Sequence, residues 1–348
     1  MKKFLGIDIG GTKCAVCIGN ADGAVLARRE FPTVGSPAET LAEFEKYARE
    51  LIAEHGAVLA TGISCGGPLD SKTGVVLSPP NLPGWEAVPV VDFFRERFGV
   101  PAFLQNDANA CALAEWKHGA GKGSDNMMFC TMGTGFGCGL ILNGRLYEGT
   151  NGNAGELGHV RLTPDGTVGF GKAGSVEGYC GGNGIAQLAE LRLGRRMLAK
   201  DLAQAAKAGD ADAAAVYAEV GEKLGRALAL AIDLLNPDCI VIGSIFARHE
   251  RLIRPAMESV LRDEALPGAL AVCRIVPAAL GERIGDVAAL TVALVGVRSQ
   301  GTGDRGQGTE DRGQRSGDRD RKSEDRSRRT GVSEKTLGFR HWSNDREG

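Results

Sequence analysis

The residues best suited to chemistry stand almost at the start of the chain, in Leu5-Gly6-Ile7-Asp8-Ile9-Gly10-Gly11-Thr12-Lys13. An apolar strand carrying an aspartate runs into two glycines, a hydroxyl and a lysine. Glycine tolerates positive φ and lets a ligand or another backbone approach closely. Thr12 and Lys13 offer hydrogen-bond donors and a positive charge. Asp8 is suited to orient a hydrated Mg²⁺, which keeps water ligands and takes few carboxylates. These types suit a nucleotide phosphate. A tight hairpin turn between two strands accounts for the same residues with less chemistry, so the choice rests on the remaining chain.

The pattern of strand, glycine-threonine turn and strand returns at Gly133-Thr134-Gly135-Phe136-Gly137. Two such turns in a duplicated chain place a nucleotide in the cleft between two lobes. Between them, Gln105-Asn106-Asp107-Ala108-Asn109 stands at the carboxyl end of an apolar strand, where α/β sheets bind ligands. Asp107 has an ordinary role as a first-turn or capping aspartate. It also has a chemical one, because phosphoryl transfer to an alcohol needs a base or positioning group. In Pro79-Pro80-Asn81-Leu82-Pro83-Gly84-Trp85, Asn81 and Trp85 suit a sugar's hydroxyls and C–H face. Equally, Trp85 suits a plug for the core beneath a proline-rich turn. Glu156 and His159 lie three apart on a stretch read as loop or strand, where that spacing fixes no geometry. A glycine-rich loop through Glu177 follows.

The elements that must position these residues follow from periodicity and breakers. After the first turn, residues 14–19 and 24–31 read as strands joined by Asn20-Ala21-Asp22-Gly23. Residues 36–55 read as a helix with Ser36-Pro37 at its start and Gly56 as its stop. Residues 58–64 form a strand ending in Gly66-Gly67, 90–98 a short helix, 100–104 a strand and 108–118 a helix. The second half has strands at 125–131, 137–143, 239–242 and 272–277. Its helices lie at 182–196, 200–208, 211–235, 249–262 and 285–297. The order predicts an α/β fold of two lobes with a mixed sheet in each. From Arg298 the chain turns polar and repetitive, with alternating Asp/Glu and Arg/Lys, and cannot bury a core.

Composition bounds the function. The 348 residues fit two domains or lobes, and 43% hydrophobic content supports sizeable cores. A net charge of −2 gives no electrostatic case for nucleic acid or an anionic membrane. No apolar run approaches the ~20 residues of a membrane span, and Asp8 interrupts the apolar start before a signal peptide forms. The nine cysteines are odd in number and scattered through apolar segments, which fits reduced cytoplasmic thiols. Cys14 and Cys17 have C-x-x-C spacing, but on a strand positions i and i+3 face opposite sides, so no redox or metal pair is expected.

With these pieces together the chain resembles the ROK family of sugar kinases and sugar-responsive repressors, in the actin/hexokinase fold group. The likeness runs from about residue 3 to residue 297. It is carried by Asp8-Ile9-Gly10-Gly11-Thr12-Lys13, Gln105-Asn106-Asp107-Ala108-Asn109-Ala110 and Gly133-Thr134-Gly135-Phe136-Gly137. Gly155-Glu156-Leu157-Gly158-His159 and Ile240-Val241-Ile242-Gly243-Ser244-Ile245-Phe246 complete it.

The resemblance implies a two-lobed actin-like ATPase (ribonuclease H-like) fold. Residues 1–118 with a returning helix at 286–297 would form one lobe and residues 119–285 the other, leaving 298–348 as a disordered tail. It implies ATP-dependent phosphorylation of a hexose, usually at the 6-hydroxyl, with Asp107 as general base. Asn106, Glu156, His159 and Glu177 would bind sugar hydroxyls, with Asn81 and Gly66-Gly67 nearby. Asp8 would help hold Mg²⁺; Gly10, Gly11, Thr12, Lys13, Gly133, Thr134 and Gly135 would meet phosphates, and Gly243-Ser244 the adenosine. A homodimer is also implied. Glucose is the first expectation; mannose, fructose, allose and N-acylated hexosamines such as N-acetylmannosamine and N-acetylglucosamine share the anchoring residues. Repressors of the family add an N-terminal helix-turn-helix domain. Met1 lies only a few residues before the first phosphate motif, so no nucleic-acid partner is expected. A catalytically silent sugar sensor would have no need of Asp107, Asp8 and both phosphate motifs.

One departure stands out. Many members carry a zinc site of His followed by Cys-x-Cys-Gly-x-x-Gly-Cys-x-Glu. Here both glycines and Glu177 keep their places, while the cysteine positions hold Val168, Phe170 and Ser175. A structural zinc takes four ligands, usually thiolates and imidazole. No zinc is therefore expected, with Val168 and Phe170 replacing it by apolar packing. The altered loop, 168–182, is where sugar specificity is expected to have drifted.

Overall fold

The first three strands build a meander. In the computed structural model, which describes residues 1–306, β1 (Lys3–Ile9), β2 (Lys13–Asn20) and β3 (Val25–Pro32) pair antiparallel. Strands β1 and β2 are buried along almost their whole length, while β3, at the sheet edge, alternates half-buried and exposed positions. Helix α1 (Pro37–His55) then crosses to β4 (Thr61–Cys65), which lies parallel to β1. Ser36 and Glu39 close a capping box at the start of α1. A small hairpin, β5 (Leu69–Asp70) with β6 (Val75–Val76), precedes α2 (Val90–Phe98) and β7 (Ala102–Asn106). The sheet order is β3-β2-β1-β4-β7. Helix α3 (Asp107–His118) leaves directly from the end of β7.

The second sheet repeats this plan. Strands β8 (Met127–Met132), β9 (Phe136–Leu142) and β10 (Arg145–Tyr147) form the antiparallel meander. A small hairpin of β11 (Val168–Gly169) and β12 (Lys172–Ala173) follows. Then come α4 (Val176–Cys180), α5 (Gly182–Leu193), α6 (Ala199–Lys207) and the long α7 (Ala211–Leu235). Strand β13 (Cys239–Ser244) lies parallel to β8. Helices α8 (Ile245–Glu264) and α9 (Pro267–Val272) lead to β14 (Arg274–Pro277), and the order is β10-β9-β8-β13-β14. Two sheets with one strand plan, each opening on a glycine-rich hairpin, make the chain a duplicated α/β structure.

Helices α3 and α10 (Ile284–Gly306) share a core with strands of the second sheet: Ala110, Leu113, Val287 and Val292 pack with Met127, Phe129 and Val241. A side chain at Gly62 would collide with the α10 backbone at Ala289, so α10 also lies hard against the first sheet. Glu115, fully buried near the end of α3, accepts hydrogen bonds from the amides of Ala120 (2.8 Å), Ala279 (3.2 Å) and Leu280 (2.9 Å). It thereby fixes the chain leaving α3 to the chain entering α10.

The structure decides several expectations, some for and some against. Trp85 is 1% exposed and lies in the apolar cluster with Phe44, Val90 and Phe94. The indole therefore plugs the core rather than facing a ligand, because its large apolar surface gains most there. Helix α10 runs past Arg298 to Gly306, since nothing at 298 breaks it; the expected tail beyond 306 lies outside the described residues. Helix α8 begins at Ile245 rather than 249, with non-helical geometry at His249 marking a kink. Cys14 and Cys17 fall in separate clusters on opposite faces of β2.

Candidate active site

The first glycine turn is shaped by close approach rather than by positive φ. A side chain at Gly11 would meet Cβ and the carbonyl oxygen of Asn81 at 2.6 Å, and one at Gly10 would strike the Lys13 carbonyl. Neither glycine has positive φ. Thr33 braces the turn: its hydroxyl donates to Gly10 O (2.6 Å) and its amide to Thr12 O (3.0 Å). Thr12 and Lys13 are exposed, and Lys13 Nζ pairs with Glu30 at 3.0 Å. Asn81 is exposed beside Gly11, so the proline-rich segment delivers Asn81 to the turn while Trp85 anchors it from below.

Asp8 sits at the end of β1 with Ser64 as its hydrogen-bond partner. Burial, then the charges of Asp107 and Asp286, push its pKa up to about 6, opposed by Arg28 and the Ser64 hydrogen bond. Asp286, at the start of α10, accepts from Arg28 Nε at 2.9 and 3.0 Å. A side chain on Gly285 would lie 2.7 Å from Asp8 Oδ2, so only glycine leaves room there. The sequence reading missed Ser64, Arg28 and Asp286; no local pattern links positions so far apart.

At the end of β7, the cap of α3 is Asn106, whose Oδ1 accepts from the amides of Ala108 (3.0 Å) and Asn109 (3.4 Å). Asp107 is thus relieved of the capping role. It is exposed, yet the surrounding protein takes enough solvation from its carboxylate to raise its pKa against the lowering effect of the Ala108 amide. A Cβ at Gly66 would lie 3.8 Å from Asp107 Oδ2, and one at Gly67 3.3 Å from Asn106 Nδ2. Gly66, Gly67, Asn106 and Asp107 therefore converge.

From the second lobe, Leu157–His159 forms a 3₁₀ turn that starts from Glu156. This corrects the loop-or-strand expectation: in a 3₁₀ turn residues three apart eclipse, bringing Glu156 and His159 together. The Glu156 pKa is raised by burial and by the charges of Glu177 and Asp107, and lowered by His159, so these groups share one electrostatic neighbourhood. Glu177, read as part of a glycine-rich loop, lies on α4 and accepts from the Phe136 amide at 3.0 Å. A Cβ at Gly135 would lie 2.5 Å from Glu177 Oε2. The amides of Gly182 and Asn183 donate to the carbonyls of Gly133 (2.8 Å) and Thr134 (3.1 Å), docking the start of α5 on the second turn. Gly243 and Ser244 pair with Thr131 and Met132 at the same end of the sheet. Ser244 has φ +56°, a conformation a non-glycine residue rarely holds, as at many binding turns.

The loop of the expected apolar packing is built differently. Phe170 (φ +45°) and Gly171 (φ +72°) form the two-residue turn between β11 and β12, a geometry that demands positive φ at both places. Phe170 is 72% exposed and Val168 43% exposed, so neither fills a core. Ser175 does the holding: buried, it donates to Lys172 O (3.1 Å) and accepts from the Gly178 amide (3.1 Å). Gln187 brackets Val168, accepting from its amide (3.0 Å) and donating to its carbonyl (2.9 Å). Lys172 Nζ donates to His159 O (2.8 Å), and the Phe170 ring meets the imidazole edge-on at 5.8 Å.

Comparison with known proteins identifies the family and the fold. The profile of the ROK family matches residues 4–294. Glucokinase of Thermotoga maritima is 31% identical over 310 residues, covering 83% of this chain and 96% of that protein. The ROK hexokinase of Thermus thermophilus superposes with a TM-score of 0.76 at 29% identity, covering 85% of this chain and 99% of its own. A ROK family glucokinase from Streptomyces griseus, solved in complex with glucose and AMPPNP, gives 0.68 at 30% identity over 84% and 99%. The fold is the two-lobed actin-like ATPase fold of these enzymes, and the chain belongs to the ROK family.

Proposed function

We propose that this chain is an ATP-dependent hexose kinase with glucose as its first substrate and the 6-hydroxyl as acceptor. The observation that carries the reading is the convergence of Asp107, Asn106 and the Gly66-Gly67 turn, with Glu156, His159 and Glu177 in the same electrostatic neighbourhood. Asp107 takes the proton of the hydroxyl as its oxygen bonds to the γ-phosphorus and the bond to the β-phosphate bridge breaks, releasing ADP. A base this close can act late in the transfer, so its low basicity is no obstacle. Asn106 Nδ2, left over from the cap, and the three second-lobe side chains hold the remaining hydroxyls. Asn81 closes the sugar side of the first turn. Gly10–Lys13 and Gly133–Gly135 meet the phosphates, and Gly243-Ser244 flank the adenosine.

A carboxyl whose pKa is pushed up to about 6 by burial and by the neighbouring carboxylates Asp107 and Asp286 suits a divalent cation, so Asp8 is the residue that would hold Mg²⁺, through water. Bound there, such a cation would neutralise phosphate charge. The donor set for zinc does not fit: Val168, Phe170 and Ser175 supply no thiolate, and hydrogen bonds from Ser175, Gln187 and Lys172 hold the loop instead. Elemental analysis is expected to find no stoichiometric zinc, and a zinc chelator in excess Mg²⁺ to leave the rate unchanged; loss of activity on chelation would contradict this. Among the described residues no helix is long and apolar enough to cross a membrane. The cysteines are all free thiols, which suits a reducing cytoplasm. The family resemblance adds a homodimer.

A panel of hexoses and N-acylhexosamines compared by kcat/KM tests the substrate. Glucose is expected to rank first, and a higher value for another sugar would reassign the substrate and point to the loop carrying Phe170.

A further inference from the structure

Glu148 is absent from every motif above, yet it touches both halves of the proposed site. It follows β10 in the second lobe. Its Oε1 accepts from Ser71 Oγ at 2.9 Å and from Gln105 Nε2 at 3.0 Å. Ser71 belongs to the turn between β5 and β6, and Gln105 directly precedes Asn106-Asp107. The other end of the Gln105 amide is committed too: Oε1 accepts from the Asn106 amide (2.8 Å) and from Asn109 Nδ2 (3.2 Å). The Gln105 amide group thus has one orientation that satisfies it, with its NH₂ toward Glu148. The main chain of Glu148 acts on the opposite side. Its carbonyl accepts from the Ala154 amide (3.1 Å), closing the loop that leads into Gly155, Glu156 and His159.

We propose that Glu148 is a positioning residue that clasps the two lobes on the sugar side, setting the sugar-binding turn at 155–159 against the base at Asp107. The assignment rests on the kinase reading. Through its side chain it orients Gln105 and hence the main chain of Asn106; through its carbonyl it shapes the approach to Glu156. Closure of the lobes over a sugar must keep this clasp or remake it, so the clasp weights hexose affinity and leaves the phosphate side, built from the glycine turns, untouched.

The test compares wild type, Glu148→Ala, Glu148→Gln and Ser71→Ala in the full chain. Glu148→Ala is expected to raise the KM for glucose about tenfold, as loss of a charge-assisted hydrogen bond does, and to leave the KM for ATP unchanged. Glu148→Gln keeps an acceptor oxygen in place and restores most of the affinity. Ser71→Ala, which retains the Gln105 bond, moves the glucose KM in the same direction by less and serves if the alanine variant does not fold. Equal changes in both KM values, or none, overturn the proposal. Hydrogen exchange of the unliganded chains reads the clasp without catalysis: in Glu148→Ala, segments 105–109 and 154–159 lose protection together. Loss in one segment alone, or in neither, contradicts the clasp. A wild type with no hexose-dependent ADP release would instead sink the kinase reading, so the two failures are distinct.

Discussion

Asp107→Asn is expected to lower kcat for hexose phosphorylation by about 10²- to 10⁴-fold, the range supplied by a positioned general base. The substitution leaves the local structure intact for a definite reason. The cap of α3 is Asn106, whose Oδ1 holds the Ala108 and Asn109 amides. Asn at 107 also keeps an oxygen for the Ala108 amide, which Asp107 Oδ1 now accepts at 2.8 Å. The variant therefore folds, and its KM for sugar changes little, but the side chain has no pair to receive the hydroxyl proton. The pH profile separates this from a structural defect. Lost solvation raises the Asp107 pKa above the ordinary carboxylate value, and the base works only when ionised. At saturating Mg²⁺, which holds Asp8 ionised, the wild-type rate falls as pH drops through that raised value, and the residual rate of Asp107→Asn lacks this acid limb. Steady-state kinetics coupled to ADP release measure both. A kcat within a few-fold of wild type would remove Asp107 from the role of base.

Asp8→Asn is expected to make the unliganded protein more stable and a worse enzyme. The carboxyl has a pKa of about 6 in the fold against an ordinary 3.8. Ionising it in the folded state therefore costs about 3 kcal/mol, at ~1.4 kcal/mol per pH unit. The sign follows from the raised value: below pH 4 the group is neutral folded or unfolded and costs nothing. Between pH 4 and 6 the cost grows, and above pH 6 it is fully present. Asn removes it, so melting temperatures of variant and wild type coincide near pH 4 and diverge in favour of the variant at pH 8. A melting temperature at pH 8 lower than wild type would contradict the assignment of burial as the dominant cause. The stabilisation has a functional counterpart. A carboxylate held against its own solvation is ready for a cation, so the Mg²⁺ concentration needed for half-maximal rate is expected to rise about 10- to 100-fold in Asp8→Asn.

How much of this was legible in the sequence depends on the range of the interaction. The glycine turns, α1 with its Ser36 cap, α2 and α7 were legible because periodicity and breakers act over a few residues. The duplication of the lobes was legible because strand, glycine-threonine turn and strand recur at Asp8–Lys13 and Gly133–Gly137. Trp85 was undecided because the same residue suits a ligand face and a core, and only the packing of α1 and α2 chose between them. The 3₁₀ turn pairing Glu156 with His159 was missed because Gly155 and Gly158 hide any helical period. The loop at 168–175 was misread as apolar packing because Val168 and Phe170 carry apolar side chains, whereas a two-residue turn forces Phe170 outward. Ser175, the small polar residue in the third cysteine position, took over the holding. Glu148, Ser71, Arg28 and Asp286 act across tens to hundreds of residues and leave no local mark.

The most direct measurement follows the phosphoryl group itself. With ATP labelled at the γ-phosphate, Mg²⁺ and glucose, the label is expected in a hexose phosphate formed mole for mole with ADP, identified enzymatically as the 6-phosphate, with almost no label released as inorganic phosphate. Label appearing as inorganic phosphate with glucose unchanged, or no transfer to any hexose of the panel, would contradict a sugar kinase built on Asp107.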